Sequence, residues 1–140
     1  MSKVAIVFWS GTGNTEAMAD AVAEGAKNAG AEVTIFGPSD FDKGMVAEFD
    51  GIAFGCPAMG AEVLEEMEFE PMFTDVERAL SGKKIGLFGS YGWGDGQWMR
   101  DWEERCNDAG AVLATAPVMA NESPDEDALN ECRDLGKALS

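Results

Sequence analysis

The chain has 140 residues, 46% of them apolar, and its 26 acidic and 10 basic residues give a formal net charge of −16. This composition predicts a single globular domain over residues 1–140, not a disordered chain. It excludes nucleic acid as a partner and disfavours an anionic membrane surface, because too few cations are present to neutralise phosphates. Seven acidic residues lie between positions 62 and 77, and this uneven charge favours a basic protein partner over a role in solubility alone.

The chain has no predicted membrane span or signal peptide. Its longest apolar run, Val4–Trp9, is far shorter than the roughly 20 residues that a spanning helix needs, and too short for the apolar region of a leader. Cys56, Cys106 and Cys132 lack CxxC spacing and are predicted to be reduced thiols, not disulfides or zinc ligands. We therefore expect a cytoplasmic protein.

The predicted elements alternate between strand and helix. A continuous apolar strand at Val4–Trp9 precedes a helix at Asn14–Asn28, whose apolar residues recur every four positions. The last helix is predicted at Pro124–Leu139, with Ser123 as its N-cap. The other predicted strands are Glu32–Phe36, Gly51–Cys56, Lys84–Phe88 and Val112–Val118, and the other predicted helices are Asp75–Leu80 and Trp98–Ala109.

Alternation at this spacing predicts an α/β fold, in which an open five-stranded parallel sheet carries helices on both faces. Ligands of such sheets bind beyond the carboxyl ends of the strands. We therefore expect the site in the loops after the first, third and fourth strands, at Ser10–Thr15, Pro57–Glu62 and Gly89–Gly96.

The first of these loops has the composition of an anion site without a cation. Its glycines allow successive N–H groups to turn inward, and its hydroxyls and amide add neutral donors in front of a helix N-terminus. It lacks the Lys of a P-loop, and Glu16 stands where the dinucleotide fingerprint requires glycine. Simple helix capping is the alternative role. The pattern predicts a phosphate monoester site made of Ser10, Gly11, Thr12, Gly13, Asn14 and Thr15.

Three stretches together resemble the flavodoxin family, in particular its short-chain members from anaerobic bacteria. They are SGTGNTE (10–16), GCPAMGAEVLEEMEFEP (55–71) and GLFGSYGWGDGQWMRDWEER (86–105). The resemblance covers the whole chain and implies a flavodoxin-like sheet of order 2-1-3-4-5. It also implies an electron-transfer protein, not an enzyme, that carries single electrons on non-covalently bound FMN and cycles at low potential between semiquinone and hydroquinone.

The resemblance also implies how the second and third loops hold the flavin. Trp93 would stack on one face of the ring and Met59 would cover the other, while Glu62 would accept a hydrogen bond from the ring N3–H. The backbone of Gly92 and Gly94 would meet the pyrimidine edge. The implied contacts of these two loops are Pro57, Ala58, Met59, Gly60, Ala61, Glu62, Ser90, Tyr91, Gly92, Trp93 and Gly94.

Gly60 has a particular role in this resemblance. In the family, the peptide after the Ala–Met pair turns its carbonyl toward the flavin N5 when that nitrogen carries a proton, and a residue without Cβ permits the turn. The chain departs from the family at two positions. Ala61 stands where Asp or Ser is frequent, and Pro57 offers the phosphate neither an N–H nor a hydroxyl.

The implied partners are basic-surfaced redox proteins such as ferredoxin-linked reductases, dehydrogenases or hydrogenases, met by a monomer. An FMN-dependent reductase on the same fold would need a substrate pocket and a base, but the chain has no His. A signalling receiver would need acidic residues where Ser10 and Pro57 stand. Core packing is predicted for Cys56, Trp98 and Trp102, whereas Trp9 is left open between a core position and the ribityl-phosphate.

Overall fold

In the computed structural model, which describes residues 2–60 and 62–140, strands and helices alternate along the chain. The strands of this described part are β1 (Lys3–Phe8), β2 (Glu32–Phe36), β3 (Gly51–Gly55), β4 (Lys84–Tyr91), β5 (Val112–Leu113) and β6 (Val118–Asn121). The α-helices are α1 (Asn14–Asn28), α2 (Phe69–Val76), α3 (Gln97–Asp108) and α4 (Glu126–Leu139). Short 3₁₀ segments are Pro38–Asp40, Lys43–Glu48 and Glu77–Ala79.

The strands form a parallel sheet in the order β2-β1-β3-β4-β5, which confirms the predicted fold and strand order. Val4 of β1 lies opposite Val33 of β2 on one side and Gly51 of β3 on the other. The chain therefore first adds a strand on one side of β1 and then continues on the other. Such a reversal leaves a crevice at the carboxyl ends of the strands, where ligands of open sheets bind.

The two faces of the sheet have different cores. Alternate side chains of a strand point to opposite faces, so Ile6 packs with α1 and α4, whereas Val7 packs with the aromatic residues of α2 and α3. Helices α1 and α4 approach closely, because a Cβ at Gly136 would lie 2.0 Å from the carbonyl oxygen of Val22. The helices predicted on both faces are thus present.

The predicted fifth strand, Val112–Val118, is divided in the structure. Strand β5 pairs with the start of β4 and β6 pairs with its end. Pro117 lies between them and has no N–H to donate to the ladder. Because β6 extends the pairing, β4 continues past Phe88 to Tyr91. Part of the predicted third loop is therefore strand, and β6 is a minor sixth strand.

Helix α2 begins earlier than the predicted Asp75–Leu80. At its start, the carboxylate of Glu65 accepts hydrogen bonds from the backbone N–H groups of Glu68 (2.7 Å) and Phe69 (2.9 Å). These bonds satisfy N–H groups that a helix terminus leaves without a partner. Apolar periodicity does not reveal a cap supplied from outside the helix, so the predicted stretch did not include Phe69–Thr74. Helix α2 ends at Val76, and Glu77–Ala79 of the predicted stretch is a 3₁₀ segment.

The start of helix α4 also differs from the prediction. The helix begins at Glu126, and Asp125 caps it by accepting the N–H of Ala128 at 2.8 Å. Ser123 is therefore not the N-cap, and Pro124 lies before the helix. Ser and Asp are both favourable N-cap residues, and here Asp125, two residues after Ser123, is the cap.

Candidate cofactor-binding site

A cavity of about 560 Å³ lies where β1, β3 and β4 end. All three predicted loops contribute to its wall, which confirms that they meet at one edge of the sheet. The first loop supplies Gly11, Thr12 and Asn14, the second supplies Pro57, Ala58 and Met59, and the third supplies Ser90, Tyr91 and Gly92; Trp9, Glu122 and Ser123 complete the wall.

The first loop curls tightly before helix α1. Gly13 has φ +94°, in the left-handed region that favours glycine, and directly precedes the helix. The hydroxyl oxygen of Ser10 accepts hydrogen bonds from the backbone N–H groups of Gly13 at 3.1 Å and Glu16 at 3.3 Å. Ser10 thus fills part of the capping role considered above. These bonds fix the curl of the loop in front of the N-terminus of α1, a position that favours an anion.

Thr15 and Ser90 join the first loop to the end of β4. Both side chains are buried, and their hydroxyl oxygens lie 3.0 Å apart. The backbone N–H of Ser90 also donates to the Thr15 hydroxyl at 3.4 Å. Buried hydroxyls need such partners. The structure therefore places Thr15 behind the loop, where it fixes the loop to the sheet.

The second loop is closed by a backbone pair. Met59 and Val63 exchange hydrogen bonds of 2.9 and 3.0 Å in an antiparallel bridge. Between them Gly60 has φ +45° and Glu62 has φ +57°, so the turn contains two residues in the left-handed region. The N–H of Ala58 donates to the carbonyl of Ser90 at 3.0 Å, which joins this loop to β4. Ala61, a predicted contact, lies outside the described residues.

Glu62 brings the second and third loops together. A Cβ at Gly94 would lie 2.4 Å from Glu62 Oε1, so the carboxylate packs directly against the Gly94 backbone. Glu62 Oε1 is buried and accepts no hydrogen bond from the described residues. A buried acceptor without a donor is costly. The flavin N3–H is a donor of the kind that this oxygen lacks, so the site fits the cofactor implied by the resemblance.

Trp93 stands beside the cavity without forming its wall. Its side chain is 64% exposed, and it lies between Gly92, which lines the cavity, and Gly94, which has φ +86°. Met59, the other predicted ring contact, does line the cavity. The two side chains expected to cover the ring therefore differ: Met59 is part of the wall and Trp93 is not. An exposed indole flanked by glycines is free of the core, in contrast to Trp98 and Trp102, which are buried as predicted.

Sequence reasoning missed Glu122 and Ser123. They follow β6, and Glu122 has φ +59° with its N–H donating to the Tyr91 carbonyl at 2.7 Å. The rule that ligands bind beyond strand ends applies to this loop too, and the undivided fifth strand of the prediction hid it. Trp9, left open above, lines the cavity and also packs against the aromatic core.

The cysteines and the charged cavity between α2 and α3 do not belong to the site. Cys56, Cys106 and Cys132 are buried free thiols, and burial raises the pKa of each to about 12. The second cavity, of about 530 Å³, is lined by charged side chains of the α2–α3 region. Its Arg105 is already paired with Glu70 at 2.7 Å and Glu77 at 2.8 Å.

Metal-binding groups and membrane spans are both missing from the described part of the chain. Among residues 2–60 and 62–140, no group of His, Cys, Asp or Glu side chains could hold a metal ion. Over the same residues, every helix is too short or too polar to cross a membrane.

Known proteins that are similar to this chain include flavodoxins. The family model described as Flavodoxin matches residues 6–136. The chain is 48% identical over 135 residues to a flavodoxin of Clostridium beijerinckii, covering 96% of this chain and 97% of that protein. It is 53% identical over 138 residues to a flavodoxin of Megasphaera elsdenii, covering 98% of each. It also matches the solution structure of two-electron reduced Megasphaera elsdenii flavodoxin, with a TM-score of 0.89, 50% identity and 97% of each chain covered.

The fold is an open parallel sheet, and beside its cavity lies a loop that suits an anion but contains no basic residue. These features define an α/β protein that binds a phosphorylated cofactor. The chain belongs to the flavodoxin family. It is therefore an electron carrier that binds FMN and serves redox partners, and not an enzyme.

Proposed function

We propose that the cavity at the ends of β1, β3 and β4 holds FMN, with the phosphate in the first loop and the ring between the second and third. When bound, FMN supplies one-electron transfer at low potential, between its one-electron and two-electron reduced forms. The observation that carries the proposal is the convergence of the three predicted loops on one cavity of about 560 Å³. Residues of this chain bind and orient the cofactor.

The phosphate would be held by neutral groups alone. Backbone N–H groups between Gly11 and Asn14 and the hydroxyls of Ser10 and Thr12 supply the donors, and the N-terminus of α1 adds its dipole. The Ser10 hydroxyl oxygen accepts the N–H groups of Gly13 and Glu16, which holds the loop in its curled form. Thr15 supports the loop from behind, through its bond to Ser90.

The ring would be oriented by backbone groups and one carboxylate. Glu62 Oε1, buried and without a donor among the described residues, would accept from the ring N3–H. The backbone of Gly92 and Gly94 would meet the pyrimidine edge, where Gly94 leaves no room for a Cβ. Met59 and Trp93 would cover the two faces, as sulfur and aromatic groups suit a flat apolar ring.

Gly60 would set the preference between redox states. Its φ of +45° is rarely adopted by residues with a Cβ, yet the space around it is open, because a Cβ added there would meet no described atom within 4 Å. A residue without Cβ is free to adopt both this conformation and a turned one. A carbonyl turned toward N5 would favour the protonated nitrogen, and about 1.4 kcal/mol of preference shifts a one-electron potential by about 59 mV.

The charge of the chain supports the low potential. Among the twelve residues that line the cavity none is basic, and Glu122 is acidic. The net charge is −16. Adding an electron to a cofactor in this surrounding is electrostatically unfavourable, because no cation in the described wall offsets the new charge.

The same charge supports the choice of partner. We infer that the partners are basic-surfaced redox proteins, such as ferredoxin-linked reductases, dehydrogenases or hydrogenases, because opposite charges speed their encounter. Buried free thiols at Cys56, Cys106 and Cys132 suit a reducing compartment, which supports a cytoplasmic location. We propose that the chain works as a monomer of one domain.

The test is reconstitution of the full chain with FMN, followed by stepwise reduction under nitrogen. We expect one FMN per chain and an accumulation of the one-electron form near half reduction. Gly60→Ala should lower that accumulation. Gly82→Ala is the matched control, since Gly82 also has a positive φ, +77°, with open space around it. A chain that binds no FMN would overturn the proposal, and equal accumulation in both variants would overturn the role of Gly60.

A further inference from the structure

Trp9 lines the cavity and directly precedes the first loop in the chain. It directly follows β1, and its backbone N–H donates to the carbonyl of Gly55 at 3.0 Å. Its ring covers the loop, because a Cβ at Gly11 would lie 3.0 Å from Trp9 Cη2. The side chain is partly buried against the aromatic core. The orientation of this indole therefore shapes the space around the first loop.

The indole of Trp9 is held by a residue far away in sequence. Its Nε1–H donates to Glu68 Oε2 at 2.8 Å, across 59 positions. A hydrogen bond to an ionised acceptor is stronger than one between neutral groups. Glu68 lies in the acidic segment between the second loop and α2, so this bond joins that segment to the cavity wall.

Glu68 is itself fixed at its backbone. Its N–H donates to Glu65 Oε1 at 2.7 Å, and the Glu65 N–H donates to Cys56 Sγ at 3.3 Å. Cys56 directly follows β3, and both it and Glu65 are buried. The contacts thus form a closed path from the end of β3 through Glu65 and Glu68 to Trp9 at the end of β1. An exposed carboxylate on such a path is more restricted than a free surface side chain.

We propose that Glu68 is a positioning residue that holds the Trp9 indole in the cavity wall, across the loop that receives the phosphate. The proposal rests on the proposed function, because it requires that this cavity binds FMN. Two effects of Glu68 oppose each other. Its negative charge disfavours an anionic ligand, whereas its hydrogen bond prepares the wall before the ligand arrives. The second effect dominates, because the bond is direct and short.

The test compares five variants of the full chain by their FMN dissociation constants. Trp9→Phe keeps an aromatic ring without the N–H, Glu68→Ala removes the acceptor, and Glu68→Gln keeps a carbonyl acceptor without the charge. The double variant of Trp9→Phe and Glu68→Ala closes the cycle. Glu66→Ala is the matched control, because it removes an equal charge from the same segment, two residues from Glu68.

We expect Trp9→Phe and Glu68→Ala each to weaken FMN binding by about three- to tenfold, the range for one hydrogen bond to a charged group near solvent. The double variant should be no weaker than the worse single variant. Glu68→Gln should restore most of the affinity, and Glu66→Ala should leave it unchanged or slightly tighter. In ¹H–¹⁵N spectra of the loaded protein, the Trp9 Nε1–H signal should shift and exchange faster in Glu68→Ala but not in Glu66→Ala.

Three results would contradict the positioning role of Glu68. Additive effects in the double variant, equal affinities for Glu68→Ala and Glu66→Ala, or an unaltered Trp9 signal would each overturn the positioning role. If the wild-type chain bound FMN in that experiment, the proposed function would stand and this inference alone would fail. If the wild-type chain bound no FMN, the proposed function itself would fail.

Discussion

The first loop of the cofactor site and the segment that follows the second loop are held in place in different ways. In the first, the Ser10 hydroxyl accepts from Gly13 and Glu16, both within six positions. In the segment after the second loop, the Glu65 carboxylate accepts three backbone N–H groups and the Glu65 N–H donates to Cys56 Sγ. Glu68 of the same segment accepts from the Trp9 indole across 59 positions. The first loop is thus organised by its sequence neighbours, and the segment after the second by a buried carboxylate.

The two regions are therefore sensitive to different substitutions. A loop made of local bonds can lose one hydroxyl and keep its course, because glycine conformation and the helix behind it still determine the backbone. A segment that depends on one buried carboxylate loses several bonds together when that carboxylate is removed. Substitutions in the two regions should therefore differ in the size of their effects.

The largest effect is expected at Glu65. Its carboxylate accepts from Met67, Glu68 and Phe69 at 2.8, 2.7 and 2.9 Å. Glu65→Ala should lower the free energy of unfolding by about 3 kcal/mol, because three N–H groups lose their acceptor. Urea denaturation of the FMN-loaded chain measures this. Glu66→Ala, its exposed neighbour, should change the free energy by less than about 0.5 kcal/mol. Equal losses in the two variants would contradict this role of the Glu65 carboxylate.

The same carboxylate should make stability depend on pH. Burial would raise the pKa of Glu65, but the backbone N–H groups of Phe69, Glu68 and Met67 together outweigh it and lower the pKa below 4.5. A lowered folded pKa means that the contribution is fully present above the unfolded value and is lost as the pH falls through the folded value. Wild type should therefore lose stability below about pH 4.5 more steeply than Glu65→Gln. Parallel curves for the two proteins in acid would argue against it.

The next effect concerns the contact between the second and third loops. A Cβ at Gly94 would lie 2.4 Å from Glu62 Oε1, whereas one at Gly92 would meet no described atom within 4 Å. Gly94→Ala should weaken FMN binding by at least about tenfold, or 1.4 kcal/mol. Gly92→Ala should weaken it by about threefold or less. Fluorescence titration gives both constants, and similar losses in the two variants would show that the Glu62 contact is not decisive.

The smallest effect is expected in the first loop. Ser10→Ala removes an acceptor of two rather long hydrogen bonds, at 3.1 and 3.3 Å. It should weaken FMN binding by about 1 kcal/mol, roughly fivefold, since neutral hydrogen bonds of this kind contribute modestly. Ser123→Ala, on another part of the cavity wall, should change the affinity less. A loss at Ser10 larger than that at Gly94 would reverse the comparison between the regions.

Much of the fold and of the first loop could be predicted because both depend on residues that are close together in the sequence. The alternation of apolar runs with helical periodicity predicts the sheet, and the Gly, Ser and Thr content of 10–15 predicts the anion loop. Helix α1 and strand β2 have the predicted bounds. The predictions failed where a contact outside an element's own apolar pattern decides its bounds. Glu65 starts α2 early, and Pro117 together with the pairing of β6 divides the fifth strand.

The fold class, the position of the site and the chemistry of the first loop follow from the sequence alone, because they depend on periodicity and on residues adjacent in the chain. Tertiary structure alone decided that Glu62 packs against Gly94, that Thr15 pairs with Ser90 and that Trp9 is held by Glu68. Each of these pairs joins residues that are far apart in the chain and lie at or beyond the carboxyl ends of different strands. The two residues of each pair come together only because of the strand order and the packing of the sheet. No local pattern of residues specifies that contact.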